Sequence, residues 1–238
     1  MIWVHTPEAA RELDRLAQSE FGLASIVLME HAAMAVAHAV EAAARRARVG
    51  GVVAVCGTGN NGGDGLAAAR LLANGGLRAA AALPAGEPGT ADARANMKAV
   101  LAMGLPVFRG EGAIRGAMGE VGGGCVVIDA LVGTGLSRDV SGGLLEAIRE
   151  IKRLGSAGAP VVAVDCPSGL DAGVGVPRPE AVVATRTVTF GAVKSGFLRP
   201  GAWPFLGEVV VGDLGVPGEL VERLGVREEA PAGLVVAE

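Results

Sequence analysis

The chain has no tyrosine, and its five phenylalanines and two tryptophans are spread over 238 residues. That leaves few flat rings on which to stack nucleobases. Positive charge is not in excess either. A net charge of −4 and a sequence pI near 5.5 argue against a nucleic-acid-binding surface. The cysteines are only three, Cys56, Cys125 and Cys166, and each sits in a strand-like run far from the others. An odd, scattered set suits buried free thiols in a reducing cytoplasm better than a disulfide frame or a metal centre. His5, His31 and His38 share no ligand spacing with them. The start, MIWVHTPEAARELDRL, lacks a basic segment before a hydrophobic core, so no secretory signal is expected. The longest apolar stretches are broken by charge or glycine before membrane-spanning length, so no membrane partner is expected.

Glycine is abundant, and its densest cluster is GTGNNGGDG over residues 57–65. The run Val52-Val53-Ala54-Val55-Cys56 precedes it and reads as a strand buried on both faces, which suits a parallel sheet. LAAARLLA follows and reads as a helix that stops at Gly75-Gly76. The expected order is strand, glycine loop, helix. In an open α/β sheet that junction lies at the carboxyl edge of the strands, where ligands bind. A tight turn would account for one or two of the glycines but not for Asn60, Asn61 and Asp64 among them. The cluster lacks the lysine and hydroxyl of a GxxxxGK[ST] phosphate loop. Gly57, Gly59 and Gly62 do match GxGxxG, but no acidic residue ends a second strand to hold a ribose, and a hydride-transfer Rossmann domain fits poorly.

Thr6-Pro7 should open a first helix, with threonine as its N-cap, and a second helix should run from about Ser25 to Arg46. Strand-like runs recur at 52–56, 78–83, 125–129, 160–164 and 183–190, with helical patterns at 64–74, 90–103 and 141–154. This alternation predicts an α/β fold: one domain over 1–238, with a mainly parallel central sheet and helices on both faces. Residues 227–238 read as a tail that packs or frays. VVIDALVGTGLSRD ends a strand at Asp129, and VVAVDCPSGLDAG ends one at Asp165. Either aspartate alone suits a turn cap. In a parallel sheet, however, both strand ends open onto the same edge as Asn60–Asp64, so these oxygens can converge.

Taken together, GTGNNGGDG, VVIDALVGTGLSRDVSG, VVAVDCPSGLDAGVG and TVTFGAVKSGFLRPG resemble the NAD(P)H-hydrate epimerases, the family of the YjeF N-terminal domain. The matching motifs run in order from Leu13-Asp14-Arg15 to Asp213-Leu214-Gly215-Val216-Pro217, nearly the whole chain. The resemblance implies a Rossmann-like three-layer domain, often a homodimer, that interconverts the R and S forms of hydrated NADH or NADPH; a cytoplasmic location is expected from the free thiols. A dehydratase driven by ATP or ADP then repairs the S form. Many relatives fuse that dehydratase to the C-terminus; this chain, ending at Glu238, is expected to supply the epimerase half alone.

Carried over by position, Asn60, Asn61, Gly62, Gly63 and Asp64 would form a substrate loop, and Gly133-Thr134-Gly135-Leu136-Ser137-Arg138-Asp139 a second one holding the nucleotide. Asn61, Asp129 and Ser168 match the family's potassium positions, one ion per subunit, and their oxygens suit a hard cation. Asp165 matches a substrate-contacting position and is the candidate acid/base. Lys194, after a strand in TFGAVKSG, could donate to oxygen or hold a phosphate, or be a surface lysine. Where the family reads MENAG, this chain has Met29-Glu30-His31-Ala32-Ala33, and His31 on that helix is read as packed or solvated.

The implied substrate carries a hydroxyl on the carbon beside the ring nitrogen. Its configuration inverts if the hydroxyl leaves and water returns to the other face, or if the ring opens and recloses. Either route needs a proton donor and a base, and no redox cofactor, because the nicotinamide is the substrate. A rival reading is a non-catalytic nucleotide-binding or dimerisation module, since mRNA-decapping scaffolds carry a related domain and fold does not guarantee turnover. Intact Asn61, Asp129, Asp165 and Ser168 favour the enzyme. A small-molecule phosphotransferase is disfavoured by the missing phosphate-loop lysine.

Overall fold

The structure, a computed structural model, describes every residue except Ser137 and Glu238. The first half runs β1 (Ile2–His5), α1 (Pro7–Ser19), α2 (Ser25–Ala47), β2 (Gly51–Cys56), α3 (Asn60–Asn74), β3 (Arg78–Leu83), α4 (Ala91–Ala102), β4 (Val107–Arg109) and α5 (Ala113–Val121). The second half runs β5 (Cys125–Ala130), α6 (Gly142–Ser156), β6 (Val161–Val164), β7 (Arg186–Phe190) and β8 (Val193–Lys194). It closes with α7 (Trp203–Leu206), β9 (Glu208–Gly212), α8 (Gly218–Leu224), β10 (Val226–Glu228) and β11 (Val236–Ala237).

Eight strands pair in the order β11-β9-β7-β6-β5-β2-β3-β4, all in parallel. Alternation along each strand divides the core in two. Val52, Ala54, Ala81, Val126 and Ile128 pack beneath α2, α3 and α4, while Val53, Val55, Ala80, Ala82 and Val127 pack beneath α5 and α6. Each fully buried valine of this kind contributes roughly 1.5–3 kcal/mol relative to its exposed state. The outcome is the expected α/β architecture with helices on both faces. A second sheet, β10-β1-β8, lies apart from the first and places His5 beside Lys194.

The chain enters at β2, moves outward to β3 and β4, then returns to pair β5 on the other side of β2. The strand order therefore reverses between β2 and β5. Loops leaving those two strands diverge there and open a crevice at their carboxyl ends.

Several expectations are corrected. The glycine cluster is mostly helix, since α3 already begins at Asn60 and only Gly57–Gly59 connect it to β2. Its glycines chiefly serve backbone packing. A Cβ on Gly57 would sit 1.9 Å from the Leu131 carbonyl oxygen, and one on Gly62 would sit 2.0 Å from that of Gly57. The C-terminal segment packs: Val226–Glu228 pairs with β1, Val236–Ala237 with β9, and Leu234 is buried. By length and composition α2 could cross a membrane, yet its Ala33, Val36, Ala37 and Val40 face is buried on the sheet and α3. Thr6 caps α1 as expected, its Oγ1 accepting from the Ala9 amide at 3.2 Å.

Candidate active site

The crevice holds a cavity of about 490 Å³, a size typical of small-molecule sites. Its sheet-edge wall is built from Thr58–Asn61 and Asp64 after β2, Leu131–Gly135 after β5, Asp165 after β6, and Phe190 and Lys194. A second part of the lining is helical, with Ala10, Asp14 and Gln18 one turn apart on α1, and Leu28 and Met29 on α2.

Asp165 anchors the sheet-edge wall. Its φ of +64° puts an ordinary L-residue in the left-handed region, a strain of order 1–3 kcal/mol that clusters at functional sites. The Asp165 amide donates to the Val188 carbonyl at 2.7 Å, and the Thr134 amide donates to Asp165 Oδ2 at 3.1 Å. Lys194 Nζ lies 3.0 Å from Oδ1. Burial pushes the Asp165 carboxyl up, but the Lys194 charge and the Thr134 amide outweigh it and leave the pKa below the ordinary carboxylate range. The carboxylate is therefore ionised at neutral pH.

Lys194 is 1% exposed, which rules out a surface lysine. Its ammonium faces Thr189 Oγ1 and the Phe190 carbonyl, both at 2.9 Å, and the Ala192 carbonyl at 3.3 Å, besides Asp165. Four acceptors surround three protons. This geometry fixes Asp165 rather than freeing Lys194 to donate to a substrate.

Beside this pair lies a second buried group. Asp129 Oδ1 accepts from Ser168 Oγ at 2.6 Å and Oδ2 from the Ser168 amide at 2.8 Å. Burial raises Asp129 to about 6, against the hydrogen bonds from Ser168 and Leu131. Asn61 sits at the start of α3, its amide oxygen facing the Val164 carbonyl oxygen with no proton between them. Turning the amide over lets Nδ2 donate to that carbonyl at 3.1 Å and lets Oδ1 accept from the Gly133 amide at 3.3 Å. Gly133 leaves no room for a side chain, since a Cβ there would meet Asn61 at 2.7 Å and Asp165 at 2.9 Å.

Of the remaining sequence candidates, Asn60, Asp64, Gly133, Thr134 and Gly135 line the cavity. Gly62 and Gly63 are buried in the helix instead. Leu136 packs against the core beneath α6, Arg138 and Asp139 are exposed away from the lining, and Ser137 lies outside the described residues. Gly59 caps α3 without a side-chain hydrogen bond, so the first helical amides are left for whatever occupies the cavity. His31 packs against Gly215, and Glu30 pairs with Arg70.

The helical wall was missed. Its one signal in the sequence was Asp14, an acid at the i+4 spacing that also sets Ala10 and Gln18 on one face of α1.

A family profile described as YjeF-related protein N-terminus matches residues 25–196. This chain belongs to that family. Two epimerase relatives match nearly end to end. The NAD(P)H-hydrate epimerase of Rhodopirellula baltica is 34% identical over 93% of this chain and 88% of its own length. That of Limosilactobacillus fermentum is 35% identical over 87% and 95%. The bifunctional NAD(P)H-hydrate repair enzyme Nnr of Moorella thermoacetica is 39% identical over 92% of this chain, which spans 42% of that protein's length. The crystal structure of yeast ynu0, YNL200c, shares the family fold at a TM-score of 0.70 and 24% identity, covering 81% of this chain and 82% of its own.

Proposed function

We propose that the chain is an NAD(P)H-hydrate epimerase, interconverting the R and S hydrates so that an ADP- or ATP-dependent dehydratase, fused or separate, can consume the S form. The observation that supports this most is the ionised Asp165 carboxylate, held by Lys194 in a strained backbone at the wall of a cavity the size of a nicotinamide site. Inversion at a carbinolamine carbon passes through a cation at the ring, and a carboxylate fixed beside the ring stabilises it. The same group takes the proton of the water that returns. Asn60, the α3 amides and the Gly133–Gly135 backbone would hold the phosphates and ribose.

One potassium ion per subunit is proposed at Asn61, Asp129 and Ser168. The residues fit it. Asp129 is a buried carboxylate with neutral hydrogen-bond partners, and Asn61 lies in the same crevice with its side-chain amide reaching the Val164 carbonyl and the Gly133 amide. The ion would supply the compensating positive charge. A cytoplasmic homodimer is proposed on the family likeness, and exposed Ile26, Val27 and Met34 on α2 are consistent with a partner.

Purified R-hydrate alone tests the activity. Catalytic amounts of the protein should bring R and S to their equilibrium ratio, followed by chromatography, far faster than buffer does. An unchanged rate would leave a nucleotide-binding module.

A further inference from the structure

The acids of α1 are not alike. Glu8 pairs with Arg11, Glu12 with Arg15, and Glu20 just beyond the helix with Arg223. Asp14, open to solvent, has no ion pair and no side-chain hydrogen bond among the described residues, and it lines the cavity. An unpaired carboxyl in mid-helix does nothing for the helix, which makes its place in the cavity wall its distinguishing feature.

We infer that Asp14 is a second catalytic group of this site, the carboxylic acid that gives a proton to the departing hydroxyl of the hydrate, while Asp165 serves from the sheet edge. The inference rests on the epimerase reading. Inversion requires the oxygen to leave from one face of the ring and return on the other, so a donor and an acceptor carried into one cavity by separate elements, α1 and the end of β6, suit it better than two neighbours on one strand end. In the first step the Asp14 O–H proton moves to the hydroxyl oxygen. The carbon–oxygen bond breaks with its pair going to the departing water, and the ring nitrogen's lone pair forms the iminium bond. In the second step water attacks the other face, the iminium pair returns to nitrogen, and Asp165 takes the proton. Atoms and charge balance, and the two carboxyls exchange roles in the reverse direction.

The electrostatics agree. Asp14 remains open to solvent, yet the protein packed around it, and then the charge of Asp165, raise it to about 6, with Lys194 opposing, while Asp165 is held low. Environments that push two carboxyls apart in this way assign the acid and the base. Asp64, from α3, is pushed well above the ordinary carboxylate range by burial and then by the charges of Asp165, Asp14 and Asp92. Arg11, which also lines the cavity, pairs with Glu8, Arg223 of α8 pairs with Glu20, Glu30 of α2 pairs with Arg70, and the His5 ring of β1 meets the Val221 carbonyl.

The test compares wild type, Asp14→Asn and Asp14→Glu on R-hydrate between pH 5 and 9. Both directions need the pair of carboxyls to share one proton. Wild-type kcat should therefore fall as pH rises through about 6. Asp14→Asn should lose that limb and about 10²–10⁴-fold in kcat, with KM and melting temperature little changed. Asp14→Glu should recover part of the rate and the limb. An Asp14→Asn protein with wild-type kcat and an intact high-pH limb would overturn the inference. A wild type that accelerates nothing would overturn the epimerase reading itself.

Discussion

At the scale of single residues, Asp165 and Lys194 form a unit in which neither partner is independent. With the Lys194 side chain 1% exposed and that of Asp165 13% exposed, removing one charge leaves the other largely buried and uncompensated. Lys194→Met should cost about 3–5 kcal/mol in urea unfolding, whereas a surface lysine would change stability by less than about 0.5 kcal/mol. The pH dependence has a definite sign. Asp165 is held below its ordinary value, so the pair's contribution is present above ~3.9 and is lost as pH falls through the lower native value. A Lys194→Met protein as stable as wild type at pH 7, with no steeper loss in the wild type on acidification, would contradict this.

At the scale of elements, the β2–α3 junction sets the site. Gly57 and Gly62 let the first turn of the helix close onto the end of the strand and the Leu131 backbone, and that contact aims Asn61 and the free amides at the cavity. Gly62→Ala forces a methyl into the Gly57 carbonyl. It should cost about 1–3 kcal/mol and weaken nucleotide binding, as read by thermal unfolding and calorimetry. Normal stability would mean that the junction is looser than it stands here. The central strands were legible because each is an apolar run stopped by glycine, proline or aspartate, and β2, β3, β5 and β6 fall where those runs lie. The others were not. β8 and β11 are two residues each, β9 starts at Glu208 with mixed burial, and the two internal glycines of α5 hide its period. The glycine cluster read as a loop because glycine is a poor helix former, and the close packing of Gly62 on Gly57, Gly63 on Met29 and Gly65 on Ala130 overrides that preference.

At the scale of the whole molecule, one cavity draws on residues from position 10 to position 214, so it exists only in the folded chain. Asp129, Asp165 and Ser168 were legible as strand-end residues because a parallel sheet brings all such ends to one edge. The α1 wall was not, because nothing local to residues 10–18 says which layer that helix covers. The proposed cation should stabilise the molecule by binding the native state alone. At 100-fold its dissociation constant potassium would add about 2.7 kcal/mol, so the melting temperature should rise in potassium chloride over tetramethylammonium chloride of equal ionic strength. Asp129→Asn should remove the difference; equal melting temperatures for the wild type in both salts would contradict the site.

The most direct measurement starts from pure R-hydrate with excess S-specific dehydratase and ATP, so that every epimerisation appears as NADH absorbance. Wild type should release NADH at a rate set by its own concentration, and Asp165→Asn should be slower by about 10²–10⁴-fold while still binding nucleotide. Near-wild-type rates from Asp165→Asn, or no acceleration by the wild type, would contradict the account.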